Sequence, residues 1–271
     1  MKKKFISYLL IPSSLFLSPQ AFSAACSIDD YSADFTISID CDALSLTEAF
    51  ANTLTIDADI TNSTVAIDAS NYALEDLIIN ASRTITSTSH YTIKYNNLVY
   101  GSILNNGTVT TDANYAISLT DGARLTTLTN NGTISATFFH GVYANASTIT
   151  TLSNTGTIST QGYAVTISGA SEVTTLINTG TLTTTDNALH DILNQGTLTN
   201  FYNDQGYATS DPVKFIYNPP TNYQIIINST SDYGQATFSY VTDTTNLGVQ
   251  SPSTIDTSAT YSSVIGGLTS A

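Results

Sequence analysis

One short phrase returns through the middle of the chain and sets what it can fold into. An aliphatic residue, one residue, an asparagine and any residue are followed by Gly-Thr and a second aliphatic. It reads Ile103-Leu104-Asn105-Asn106-Gly107-Thr108-Val109, then Leu128-Thr129-Asn130-Asn131-Gly132-Thr133-Ile134, then Leu152-Ser153-Asn154-Thr155-Gly156-Thr157-Ile158. It returns as Leu176-Ile177-Asn178-Thr179-Gly180-Thr181-Leu182 and as Ile192-Leu193-Asn194-Gln195-Gly196-Thr197-Leu198. The glycines stand 25, 24, 24 and 16 residues apart. A period in the twenties means one structural unit stacked on copies of itself.

The residues between the phrases choose the kind of stack. Thr148-Ile149-Thr150-Thr151-Leu152 and Ala164-Val165-Thr166-Ile167-Ser168 are β-branched and alternating, with no helical spacing. About 24 residues suits one coil of a right-handed parallel β-helix, with three short strands and three turns. Each Gly is expected in a turn conformation that a Cβ would oppose. The Asn two residues earlier is expected to stack from coil to coil in a hydrogen-bonded ladder. Asn105, Asn130, Asn154, Asn178 and Asn194, with Gly107, Gly132, Gly156, Gly180 and Gly196, would then share one corner. Ile103, Leu128, Leu152, Leu176 and Ile192 would form one core stack, and Val109, Ile134, Ile158, Leu182 and Leu198 another. The 16-residue spacing reads as one coil that has lost a strand or a turn excursion.

The flanks divide the chain. Lys2-Lys3-Lys4, an apolar run from Phe5 to Leu17, and Ser23-Ala24-Ala25 have the layout of a secretory signal peptide over residues 1–25, cut after Ala25 or Ser23. Export through the Sec pathway is the consequence. Residues 26–200 read as the β-helix, in six or seven coils spanning about 30 Å. The stretch 42–100 carries strand-like runs 11 to 14 residues apart (Leu54-Thr55-Ile56, Val65-Ala66-Ile67, Leu77-Ile78-Ile79, Tyr91-Thr92-Ile93), which match half-coils. Residues 201–271, opened by Asp211-Pro212 and Asn218-Pro219-Pro220, read as a C-terminal β cap over the solenoid end. Cys26 and Cys41 are the two cysteines, and in an oxidising compartment such a pair is read as a disulfide that pins the first coil.

Charge narrows the partners. Once the three lysines of the signal are gone, four cations (Arg83, Lys94, Arg124, Lys214) face 21 acids, a net of −17. Nucleic acid, heparin and anionic membranes are therefore not expected partners. Catalytic signatures are sparse. Asp186, His190 and Asp191 are the nearest thing to the carboxylate cluster a glycoside-cleaving β-helix needs. His90, His140 and His190 recur every 50 residues, close to two coils, which would bring His140 and His190 near one edge. No P-loop, zinc spacing or calcium nonapeptide is visible, so no cofactor is expected.

The signal, the Leu-x-Asn-x-Gly-Thr-Ile coils, and the stretch Pro220-Thr221-Asn222-Tyr223-Gln224-Ile225-Ile226-Ile227-Asn228 with Tyr233-Gly234-Gln235 resemble the passenger region of bacterial type V autotransporters. The resemblance covers nearly the whole chain. It implies a surface or extracellular passenger (periplasmic if truncated) acting in adhesion or self-association. Its partner would be a protein or glycan on a host or neighbouring cell, or a second copy of itself. In that family an outer-membrane β-barrel follows the cap. The 271 residues stop where that barrel would begin, so the reading is of a truncated or split member, anchored only if a downstream segment supplies the barrel. The passenger proteases of the family carry a Gly-Asp-Ser-Gly motif, which this sequence lacks. The alternative is a carbohydrate-active β-helix, a polysaccharide lyase or hydrolase, which would need an acidic groove on one face.

Overall fold

A computed structural model of the chain describes residues 25–28, 31–70, 72–96, 100–186, 190–207, 211–241, 243–251 and 253–266. The signal-peptide stretch lies outside the described residues, apart from Ala25. The described chain is all β, wound as a parallel β-solenoid. A regular coil runs through three strands in turn. The first is long (Arg124–Asn130), the second short (Thr133–Ala136), and the third short again (Val142–Asn145). The strands of successive coils stack into a first sheet of ten strands, a second of six and a third of ten.

Alternation decides what faces inward. In the first sheet Leu54, Leu77, Ile103, Leu128, Leu152 and Leu176 stand in register, followed by Phe201 and Tyr223. In the second, Ile60, Ile85, Val109, Ile134, Ile158 and Leu182 do so. In the third, Leu44, Ile67, Ile93, Ile117, Val142, Val165 and Ile192 are continued by Phe215 and Phe238. All of these are buried. A one-residue slip would turn each set outward, so the aliphatic stacks hold the register. The early runs are half-coils: Leu54 and Leu77 lie in the first sheet, Ile67 and Ile93 in the third.

Four of the five phrases share the corner between first and second sheets. There Asn105 Nδ2 donates to Asn130 Oδ1 at 2.7 Å, Asn130 to Asn154 at 2.7 Å and Asn154 to Asn178 at 2.9 Å. These amides are buried, and each bond satisfies a polar group that would otherwise cost about 1–3 kcal/mol. The fifth phrase corrects the expectation. The next rung of the ladder is Asn203, to which Asn178 donates at 3.0 Å across 25 residues, so that coil is full length. Asn194 and Gly196 sit at a different corner, after the third sheet. Asn194 pairs with Ile167 and Tyr217 there and donates to the Asn218 carbonyl at 2.8 Å. Ile192 and Leu198 accordingly stack on Val165 and Val173, outside the two series expected for them.

The reason for the glycines also differs from the expected one. Among described glycines a positive φ occurs at Gly122, Gly169 and Gly206, not in the ladder. A Cβ on Gly132, Gly156 or Gly180 would instead fall onto the carbonyl oxygen of Gly107, Gly132 or Gly156 in the coil before. The glycines are there because two backbones stack in contact.

Both ends of the second sheet are closed. At the start, Cys41 bridges to Ile60 in the second sheet, and Cys26 bridges to Leu44 in the third. The Cys26–Cys41 disulfide, closed over 15 residues with Cα atoms 5.4 Å apart, ties the first rungs of two sheets together. A loop of that length stabilises by about 3 kcal/mol in the chain-entropy model. At the other end the second sheet stops at Thr181–Thr184, while the first and third run on past Asn200 to Asn246–Val249 and Ile265–Gly266. Two side chains take the place of the missing strand. The buried Gln205 amide accepts from Leu182 N–H at 2.7 Å and donates to the Leu182 carbonyl at 2.8 Å. Asp191 accepts from Thr184 N–H at 2.9 Å. The core thickens there: Phe201, Phe215, Tyr223 and Phe238 pack ring on ring at centroid distances of 5.0 to 6.2 Å.

Candidate functional site

The corner between second and third sheets carries a column of rings. Tyr91, Tyr115, His140 and Tyr163 each stand two residues before the paired Ile93, Ile117, Val142 and Val165, so they fall on one line along the axis. Tyr115 stacks on Tyr91 at 5.5 Å and on His140 at 5.2 Å. Tyr143 lies against Tyr115 at 4.1 Å, and His140 meets Tyr163 at 5.2 Å. Phe139 sets its edge against Tyr115 and His140 at 6.0 and 6.2 Å. Phe139 remains 46% exposed and Phe138 beside it 59%, a large apolar projection on a strongly acidic chain. Lys94 stands 6.0 Å over the Tyr91 ring.

His140 holds this corner. Its Nδ1 accepts from the Tyr163 backbone N–H at 3.1 Å, which requires an unprotonated nitrogen. Burial pushes its pKa down to about 4. Burial likewise raises the Tyr115 and Tyr163 hydroxyls. A histidine whose folded pKa lies below the unfolded 6.5 contributes stability that is complete above pH 6.5 and is lost as pH falls toward 4. Wild type is therefore expected to exceed His140→Gln in unfolding free energy at pH 7. That margin shrinks by about 2 kcal/mol at pH 4.5. Denaturant titrations of both proteins at the two pH values measure it, and a margin that does not change with pH would be the contrary result.

His190 continues the line, two residues before Ile192, the partner of Val165. The 50-residue spacing thus places His140 and His190 in one row with Tyr163 between them, and Tyr91 rather than His90 holds the corresponding rung. Of Asp186, His190 and Asp191, the last is spoken for by backbone. Both Asp191 oxygens are engaged, one by Thr184 N–H and the other by Lys214 N–H, each at 2.9 Å. Burial raises its pKa to about 6, against the pull of those two amides. Among the described residues no three His, Cys, Asp or Glu side chains come together as a metal site.

The reading of the sequence missed the ring column. The signal was a row at intervals of 24, 25, 23 and 27 residues (Tyr91, Tyr115, His140, Tyr163, His190) written in two residue types. In comparisons with known proteins, no family model, no curated protein and no solved structure matches this chain.

Proposed function

We propose that the chain is an exported, surface-displayed β-solenoid of autotransporter-passenger type whose work is adhesion to a neighbouring surface or to copies of itself. The observation that carries this is the corner at Phe138 and Phe139. Phe139 sets its edge against the stacked Tyr115 and His140 rings, which props it in place before any partner arrives, and Phe138 stands exposed beside it. Such rigid aromatic anchors are what protein interfaces use as energetic centres. A rod of near-identical coils also suits repeated weak contacts. The carbohydrate-active alternative is less well supported, because the one buried carboxylate near the histidine row, Asp191, already serves two backbone amides.

The test is export and adherence in one experiment. The chain is expressed with its native N-terminus and a downstream barrel, the mature N-terminus is sequenced, and binding of displaying cells to epithelial monolayers and to one another is counted. Processing at Ser23 or Ala25 is expected. The Phe138→Ser, Phe139→Ser double variant is expected to reduce adherence about tenfold at equal display. Undiminished adherence by that variant would remove the corner from the reading, and a chain retained in the cytoplasm would remove export.

A further inference from the structure

The outward side of the second sheet is a lattice. In one column Thr84, Thr108, Thr133, Thr157 and Thr181 stand in register, and two residues along each strand Thr86, Thr110, Ser135, Ser159 and Thr183 form a second. All ten are partly exposed. Rungs in a sheet repeat at about 4.8 Å and alternate residues along a strand at about 6.6 Å, so hydroxyls recur in two dimensions over about 19 Å of the axis. A third column, Asn106, Asn131 and Thr155, borders the lattice and is cross-linked at 2.9 and 2.8 Å.

Three further properties bear on what such a face can hold. The five strands contain no charged residue, on a chain of net charge −14. Threonine is stiff at χ1, so the hydroxyl and methyl of the eight threonines are set before contact, with Ser135 and Ser159 supplying hydroxyls alone. Among the described residues one hydroxyl bond, Ser135 to Thr110 at 2.8 Å, links rungs of these two columns.

We propose that this face binds ice. A two-dimensional array of like groups gains most from a ligand with a two-dimensional repeat of its own. A folded protein of irregular surface or a branched glycan has no such repeat. The rung spacing lies close to one oxygen repeat on the prism face of hexagonal ice, and the alternate-residue spacing falls about a tenth short of the other. A neutral water lattice also fits the absence of charge on these five strands. The hydroxyls join the outermost lattice waters, and the methyls fill the gaps between them. The inference stands independently of the adhesive reading.

Purified exported chain is assayed for thermal hysteresis and for partition into a slowly growing ice hemisphere. Three variants accompany it: Thr133→Tyr with Thr157→Tyr on the lattice, Thr133→Ser with Thr157→Ser as a change without added bulk, and Thr151→Tyr on the outward side of the first sheet. Circular dichroism and melting confirm that each is folded. The expected result is incorporation of wild type and Thr151→Tyr into ice, loss of incorporation for the tyrosine pair, and reduced hysteresis for the serine pair. Exclusion of folded wild type from ice overturns the proposal, as does full incorporation of the folded tyrosine pair or undiminished hysteresis of the folded serine pair. Retention of wild type on microcrystalline cellulose or chitin with exclusion from ice also overturns it, and assigns the lattice to a crystalline polysaccharide.

Discussion

Gln205→Leu is expected to cost on the order of 4 kcal/mol and to lower the melting temperature by about 10 °C. The leucine matches the volume but makes no hydrogen bonds. Leu182 loses the partners of both its N–H and its carbonyl, and both it and residue 205 are buried. The Asn178 amide loses an acceptor at 3.0 Å and the Asp211 carbonyl a donor at 3.0 Å. Each orphaned group costs its desolvation, which is why the sum exceeds the net value of the bonds themselves. Gln205→Glu separates shape from hydrogen bonding. Its carboxylate still accepts from Leu182 N–H but turns an oxygen toward two carbonyls, so it should approach the leucine variant at neutral pH and recover in acid. Hydrogen exchange at the Leu182 amide and a melting curve measure both. A leucine variant melting within about 2 °C of wild type would show that the side chain does not close the sheet.

Gly156→Val carries the second large effect, expected at about 3–5 kcal/mol. The Cβ would land on the Gly132 carbonyl oxygen, which accepts from Thr157 N–H at 2.9 Å. Relief requires the two coils to separate at the corner where the Asn130–Asn154 bond is 2.7 Å long. Two comparisons isolate the cause. Gly122→Ala, at φ +90 with open space around the Cβ position, should cost about 1 kcal/mol through backbone conformation alone. Thr157→Val, beside the same corner but facing outward, should cost less again. Urea denaturation of the three variants ranks them. A valine at position 156 no more harmful than the alanine at position 122 would show that contact between coils is not what selects glycine.

The parts of the fold that could be read from the sequence are those in which one residue type repeats at one interval. Leu128, Leu152 and Leu176 are the same side chain in the same place, and so are Asn130, Asn154 and Asn178. The fifth phrase misled because its local chemistry is the same. Asn194 Oδ1 accepts from Gly196 N–H at 3.2 Å, just as Asn105 does from Gly107 at 3.2 Å, although the corners differ. The strand after each phrase distinguishes them: Thr197 opens one of seven residues, whereas Thr108 opens one of four. The ring column was hidden by its mixture of tyrosine and histidine. Gln205 was hidden because a lone glutamine has no pattern, and its role exists only once Leu182 lies beside it.

The orientation of the ladders has a mechanical consequence. Hydrogen bonds between coils lie along the axis, so a pull on the two ends opens them in sequence rather than shearing many together. Each coil of about 24 residues that peels away releases roughly 80 Å of chain. A tethered molecule under tension would lengthen in steps, dissipating work at each while the remaining coils stay wound. The Cys26–Cys41 bond withholds the segment between its ends from that extension. Reduction would add that segment to the last step, so the released length itself reports whether the bond is closed.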